Sequence, residues 1–171
     1  MLKRSFTLIE LVVVLLVISI LTVAVVPAAF RALERSRVSA AIADYRSIRA
    51  AAINYYSHTA SWPLDNSGPS YFLSNTGGLA TWDGPYLDKW PMGKWPGSVI
   101  TFQNDSDVNW DINGGGDDAR YLQVTNVPSA KAQDIDAKLD GSIGDASGYI
   151  RYGAGVTVTL YMLVSTNVSV N

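Results

Sequence analysis

The chain lacks cysteine altogether, and His58 is the only histidine among its 171 residues. Without cysteine no disulfide can form, so the fold must be held by core packing, by a bound metal or by neighbouring chains. A single histidine without cysteine does not supply the ligands of a usual zinc site. The sequence also contains no serine-hydrolase, zinc-protease or phosphate-binding-loop pattern. We therefore expect a protein that is not an enzyme.

Charge is nearly absent from the N-terminal part of the chain. Between residues 6 and 30, a run of 25 residues, Glu10 is the only charged side chain. About 20 apolar residues in a helix cross a hydrocarbon core of ~30 Å. A carboxylate in such a segment costs about 2.5–3.5 kcal/mol on insertion scales. A simple anchor gains nothing from that cost, so we expect Glu10 to have a partner.

Two ordinary interpretations of this run leave Glu10 unexplained. One is a secretory signal peptide cleaved near residues 27–29, although the apolar core of such peptides spans only ~7–15 residues. The other is an uncleaved membrane anchor. Lys3 and Arg4 favour a cytoplasmic N-terminus, but the arginines that follow the run weaken that charge bias.

A third interpretation accounts for the glutamate. The stretch KRSFTLIEL, residues 3–11, resembles the class III signal of type IV pilins and type II secretion pseudopilins. The resemblance implies that a prepilin peptidase cuts between Ser5 and Phe6 and methylates the new amine of Phe6. Residue 5 is usually glycine in that family and is serine here. Glu10 becomes the fifth mature residue, and Pro27 lies where these proteins usually carry a helix-kinking proline.

The resemblance implies a way in which subunits assemble. Glu10 of one copy could pair with the Phe6 amine of a neighbour, which would neutralise two costly charges and select one axial stagger. Three functions stay open: a subunit of a type IV pilus-like filament, a major pseudopilin of type II secretion, and a tethered binding protein that does not polymerise. The implied partners are further copies of the chain, the prepilin peptidase, an inner-membrane assembly platform, and minor pilins or pseudopilins. The implied location is the inner membrane before assembly and a periplasmic or extracellular filament afterwards.

The fold expected is α+β, with one long N-terminal helix packed on an antiparallel sheet. We divide the chain into a leader (1–5), a membrane and assembly helix (6–30), and a head (31–171). The helix should continue past Pro27, which should bend or loosen it, to about Ser57. One face of it carries apolar residues at steps of three and four, namely Val38, Ala41, Tyr45, Ile48, Ala52 and Tyr55. Strands are expected over 98–103, 119–125, 149–152 and 156–164, with a short helix over 129–139 and turns between residues 58 and 96.

The negative charges of the head come almost entirely from aspartate. Residues 51–171 contain twelve aspartates, six basic residues and no glutamate, which argues against nucleic acid as a partner. Short carboxylates on glycine-rich loops suit turns or Ca²⁺. Residues 109–114 match the opening of a calcium loop, but the twelfth position is Arg120, so this is not an EF-hand. An irregular Ca²⁺ site stays open either at Asp105, Asp107, Asp111, Asp117 and Asp118, or at Asp134, Asp136 and Asp140. The alternative for both sets is an ordinary acidic turn.

The five tryptophans, residues 62, 82, 90, 95 and 110, all lie in the turn-rich part of the head or the loop that follows the first strand. They could pin these segments onto the core, or they could face another subunit, because tryptophan is enriched at protein interfaces.

Intact mass spectrometry of the chain expressed with a prepilin peptidase tests the processing site. We expect the mature chain to begin at Phe6 and to carry one additional methyl group on its amine. A chain that retains Met1, or one that begins near Ala29, would contradict the resemblance to pilins.

Overall fold

The computed structural model describes residues 7–64, 69–105, 119–141 and 148–166, without the side chains of Ala24, Asp105 and Thr166. Helix α1 covers Leu8–Thr59, and a one-turn helix, α2, covers Ser70–Leu73. Strands β1 (Ile100–Asp105) and β2 (Ala119–Pro128) precede helix α3 (Ser129–Leu139), and β3 (Ile150–Tyr152) and β4 (Thr157–Thr166) follow it. The chain divides into two compact units, residues 1–37 and 38–171.

The second unit has the expected α+β architecture. Its four strands form one antiparallel sheet in the order β1-β2-β4-β3. Leu122 of β2 lies opposite Phe102 of β1 and Met162 of β4. All three side chains are buried and belong to one hydrophobic cluster on the same face of the sheet. The sheet therefore has one apolar face that needs a cover.

The second half of α1 provides that cover. The six apolar residues on one face of the helix, which the spacing of the sequence indicates, are all buried: Val38, Ala41, Tyr45, Ile48, Ala52 and Tyr55. Most of them belong to one hydrophobic cluster with the sheet residues, and Phe72 of α2 and Ile135 of α3 join that cluster. Arg35 and Arg46 are exposed, as expected for the other faces. Packing of an amphipathic helix on a sheet thus forms the core.

Two side chains of α1 also bind the last strand directly. The Tyr45 hydroxyl donates a hydrogen bond to the Leu163 carbonyl, and Arg49 Nε donates one to the Val164 carbonyl at 3.3 Å. Burial raises the pKa of the Tyr45 phenol above its usual value. The fold therefore favours the neutral phenol, so this contribution to stability is lost as the pH rises above the ordinary tyrosine value of about 10.

The boundaries differ from the sequence predictions mainly at strand ends. Helix α3 covers the predicted residues, and α1 ends at Thr59, two residues beyond the expected end. Strand β2 runs three residues further because its pairing with β4 shifts between Val124 and Val127. Asn126 lies there with a φ of 54°, and its side chain donates a hydrogen bond to the Gly97 carbonyl at 2.8 Å. This irregularity is a β-bulge, which a simple alternation pattern does not reveal.

Replacing Ile48 by alanine tests the packing of α1 on the sheet. Ile48 is 0% exposed, so the variant leaves a cavity and should lower the free energy of unfolding by about 2–5 kcal/mol. Ile53 on the same helix is 45% exposed, so Ile53→Ala should change the free energy of unfolding by no more than about 0.5 kcal/mol. Thermal unfolding of the full chain in detergent measures both variants. Equal effects would show that this face of α1 does not carry the core.

Candidate functional site

The first part of α1 forms an apolar surface without a cover among the described residues. Helix α1 is the one described helix that is long and apolar enough to cross a membrane, and its most apolar window has a mean hydropathy of 3.0. Large side chains on every face of this part are exposed. At its two ends, Leu8 is 81% exposed and Phe30 is 64% exposed. Ser19 and Thr22 donate their hydroxyls to the carbonyls of Leu15 and Ile18. These hydroxyls are thus satisfied within the helix, and Glu10 is the only charged group in the segment.

Glu10 lies in the first turn of α1 and binds the residue that precedes the helix. Thr7 donates two hydrogen bonds to Glu10 Oε2, from its backbone N–H at 2.8 Å and from its hydroxyl at 2.7 Å. The Glu10 N–H lies 3.4 Å from the Thr7 hydroxyl oxygen. This reciprocal arrangement is a capping box, in which Thr7 and Glu10 satisfy each other's backbone donors at the helix start. The Thr-x-x-Glu spacing is the sequence signal from which this cap could have been predicted.

The other residues predicted to take part in processing and assembly are only partly visible. Ser5 and Phe6 lie outside the described residues. Pro27 lies inside α1, which continues through it. The bend or loosening predicted at Pro27 stays a prediction.

The second set of aspartates is engaged in contacts within the head. Asp134 pairs with Lys131 at 2.8 Å, and Asp136, which is 1% exposed, lies 3.5 Å from the Tyr152 hydroxyl. Asp140 Oδ2 accepts hydrogen bonds from the N–H groups of Tyr149 and Ile150 at 2.8 and 2.9 Å. Among the described residues no three such side chains gather where they could hold a metal ion.

Most aspartates of the first set lie outside the described residues. Asp107, Asp111, Asp117 and Asp118 are not described, and only the backbone of Asp105 is. Binding of Ca²⁺ therefore stays a prediction for both sets.

The four described tryptophans pack within the head. Trp95 is buried in the core, and Trp90 Nε1 donates to the Ile100 carbonyl at 3.0 Å. Trp82 packs edge-on against Tyr86. Trp62 stacks on Tyr56 with ring centroids 4.5 Å apart, and the Arg120 guanidinium lies 5.4 Å from its ring centre. These contacts agree with a role in pinning loops, and Trp110 lies outside the described residues.

Known proteins are similar in sequence to both the apolar helix and part of the head. Residues 1–26 match the prokaryotic N-terminal methylation motif, and residues 32–114 match the family described as PilW, C-terminal. The chain is also 31% identical over 113 residues to the type IV major pilin protein PilE of Neisseria gonorrhoeae. The chain is therefore type IV pilin-like and carries a prepilin motif at its N-terminus. The aligned part covers 66% of this chain and 64% of PilE, and no solved structure matches.

Asp140 links the end of α3 to the start of β3. Its carboxylate bridges nine to ten residues of chain. A methyl group on Gly148, whose φ is +82°, would lie 2.5 Å from Asp140 Oδ2. Glycine at position 148 therefore permits both the left-handed backbone and the close approach of the carboxylate.

Replacing Asp140 by alanine tests this link. The variant leaves two backbone N–H groups without their acceptor, so the free energy of unfolding should fall by about 1–3 kcal/mol. Asp140→Asn keeps an acceptor oxygen and should lose less. Asp134→Ala removes an exposed carboxylate of α3 and should change the free energy of unfolding by no more than about 0.5 kcal/mol. Chemical denaturation of the full chain in detergent compares them, and equal values for Asp140→Ala and Asp134→Ala would refute the role.

Proposed function

We propose that the chain is a structural subunit of a type IV pilus-like filament. It would be inserted in the inner membrane and then polymerise through its N-terminal helix. The observation that carries the proposal is the exposure of apolar side chains around the whole helix between Leu8 and Phe30. Such a surface is unstable in water, so it needs lipid before assembly and the helices of other copies afterwards. This role requires no catalysis.

The position of Glu10 supports assembly by helix packing. A carboxylate near the start of the helix is costly in lipid, and a neighbouring subunit with a free amine at Phe6 would neutralise it. Because pairing occurs at one axial offset between helices, it would set the register of the filament. The capping bonds from Thr7 hold the Glu10 carboxylate beside the helix start, which is close in sequence to the proposed new amine.

The remaining partners follow from the same proposal. A prepilin peptidase would cut between Ser5 and Phe6, an inner-membrane platform would add subunits, and minor pilins or pseudopilins would begin the filament. The filament itself would be periplasmic or extracellular. The similarity to a major pilin favours a pilus.

A secretion pseudopilus is the second candidate. The absence of cysteine favours it, and the signal at residues 3–11 resembles that of pseudopilins as much as that of pilins. Deleting the gene separates the two: loss of surface fibres indicates a pilus, and loss of exported proteins from the culture medium indicates a secretion pseudopilus.

Two substitutions of Glu10 separate its charge from its role as a cap. Glu10→Gln keeps an oxygen that can accept from Thr7, since glutamine also serves in capping boxes, but it removes the charge. Glu10→Val removes both. We expect both variants to enter the membrane, because a costly charge is lost, and both to form few filaments.

Electron microscopy of sheared surface material measures filament yield, and carbonate extraction measures membrane insertion. Glu34→Gln is the matched control, because it removes the only other glutamate of the chain and should assemble normally. Normal filaments from Glu10→Gln would refute the pairing of charges. Absence of filaments from the unaltered chain, with all assembly components present, would refute the filament role and favour a tethered binding protein.

A further inference from the structure

The arginines directly after the apolar segment present a charge that the rest of the molecule does not explain. Arg31 and Arg35 are exposed, and neither has a hydrogen bond or ion pair with any residue in the described ranges. Arg37, in contrast, is paired with Glu34 within the same helix. Two unpaired guanidinium groups thus follow a helix that is apolar on all sides.

Their spacing places them on the same side of the helix, one turn apart. Residues four apart lie on the same side of a helix, so Arg31 and Arg35 form a pair on one face of α1. From Leu8 to Phe30 the helix rises about 34 Å at ~1.5 Å per residue, against a hydrocarbon core of ~30 Å. Arg31 therefore falls at the edge of the core, and Arg35 lies one turn further out. Leu33 between them is 56% exposed, which continues the apolar surface to this level.

We propose that Arg31 and Arg35 bind the phosphate groups of anionic lipids in the non-cytoplasmic leaflet and hold the unassembled subunit at a fixed depth. This inference rests on the membrane insertion assumed in the proposed function. An arginine at the membrane boundary can lay its apolar stem on lipid while its guanidinium reaches the headgroups. Guanidinium also binds phosphate through two parallel hydrogen bonds, which a lysine ammonium does not.

The inference also explains the distribution of positive charge. Arginines on the translocated side oppose the usual positive-inside preference, which favours an excess of basic residues in the cytoplasm. If the leader is removed, Lys3 and Arg4 leave with it, and the basic residues next to the membrane are then Arg31, Arg35 and the paired Arg37. Binding to headgroups gives the two unpaired ones a favourable environment at that position.

The test uses the full chain in nanodiscs made of phosphatidylcholine with about one third phosphatidylglycerol. Native mass spectrometry counts the phosphatidylglycerol molecules that stay bound when the nanodisc is dissociated. The variant Arg31→Gln/Arg35→Gln should lower lipid binding about 30-fold, since each basic residue near an anionic surface contributes roughly a fivefold effect. Raising the salt concentration should weaken the binding of the unaltered chain in the same direction.

Glu34→Gln/Arg37→Gln is the matched control, because it removes the neighbouring ion pair of the same helix without a change in net charge. It should retain lipid like the unaltered chain. Equal lipid retention by Arg31→Gln/Arg35→Gln and the unaltered chain would overturn the proposal. If that variant retains lipid but forms no filaments, the arginines bind a carboxylate of a second copy instead.

The measurement is made on single subunits, so it is independent of polymerisation. Specific retention of phosphatidylglycerol by a chain that forms no filament would support this inference and count against the filament. A chain that does not enter nanodiscs at all would overturn both.

Discussion

The exposed apolar helix between Leu8 and Phe30 is the constraint on which the rest of the molecule depends. An isolated helix of this kind must be surrounded by lipid or by other helices, because water does not solvate its side chains favourably. Charge in the segment is confined to Glu10, and its hydroxyls bind carbonyls of the same helix. Each polar group in this segment either forms a hydrogen bond within the helix or would gain a partner from another chain. In the proposed membrane-inserted subunit, the same constraint would place the arginines that follow the segment at the edge of the membrane.

In the head, the second half of the same helix has a different role. After Arg37 one face of α1 becomes the cover of a four-stranded sheet, and the core lies between them. The chain has no disulfide to hold its loops, so individual polar contacts do so. Lys94 forms an ion pair with Asp44 of α1, Trp90 binds the edge strand β1, and Asp140 binds the start of β3. Each contact joins a loop or a helix end to a neighbouring element.

Periodic patterns in the sequence predicted the elements of the head well. The buried face of α1 follows from the spacing of apolar residues, because that spacing matches the helical repeat. The short helix expected over 129–139 has the predicted bounds. The bulge at Asn126 was not predicted, since it depends on how β2 meets β4 and on a contact with Gly97. Likewise, no local pattern predicts that Arg120 lies against Trp62, because the two are far apart in sequence.

The candidate site likewise has features that local sequence predicts and one that it does not. The resemblance of residues 3–11 to a prepilin signal is a local property, and the similarity to the methylation motif confirms it. The Thr7–Glu10 cap is also a local property, which the Thr-x-x-Glu spacing predicts. The contact of Asp140 with Ile150 could not be predicted from local sequence, because it depends on where a loop returns the chain.

The capping box has a consequence for how easily a filament of this kind could come apart. The Glu10 carboxylate already accepts two hydrogen bonds from Thr7 in the single subunit. An amine from a neighbour would therefore compete with an existing partner, so that joining and leaving exchange one set of bonds for another. Such an exchange changes the free energy by only the difference between the two sets. The apolar contact between helices would then supply most of the cohesion of the polymer, and the charge pair would mainly determine where each subunit stops.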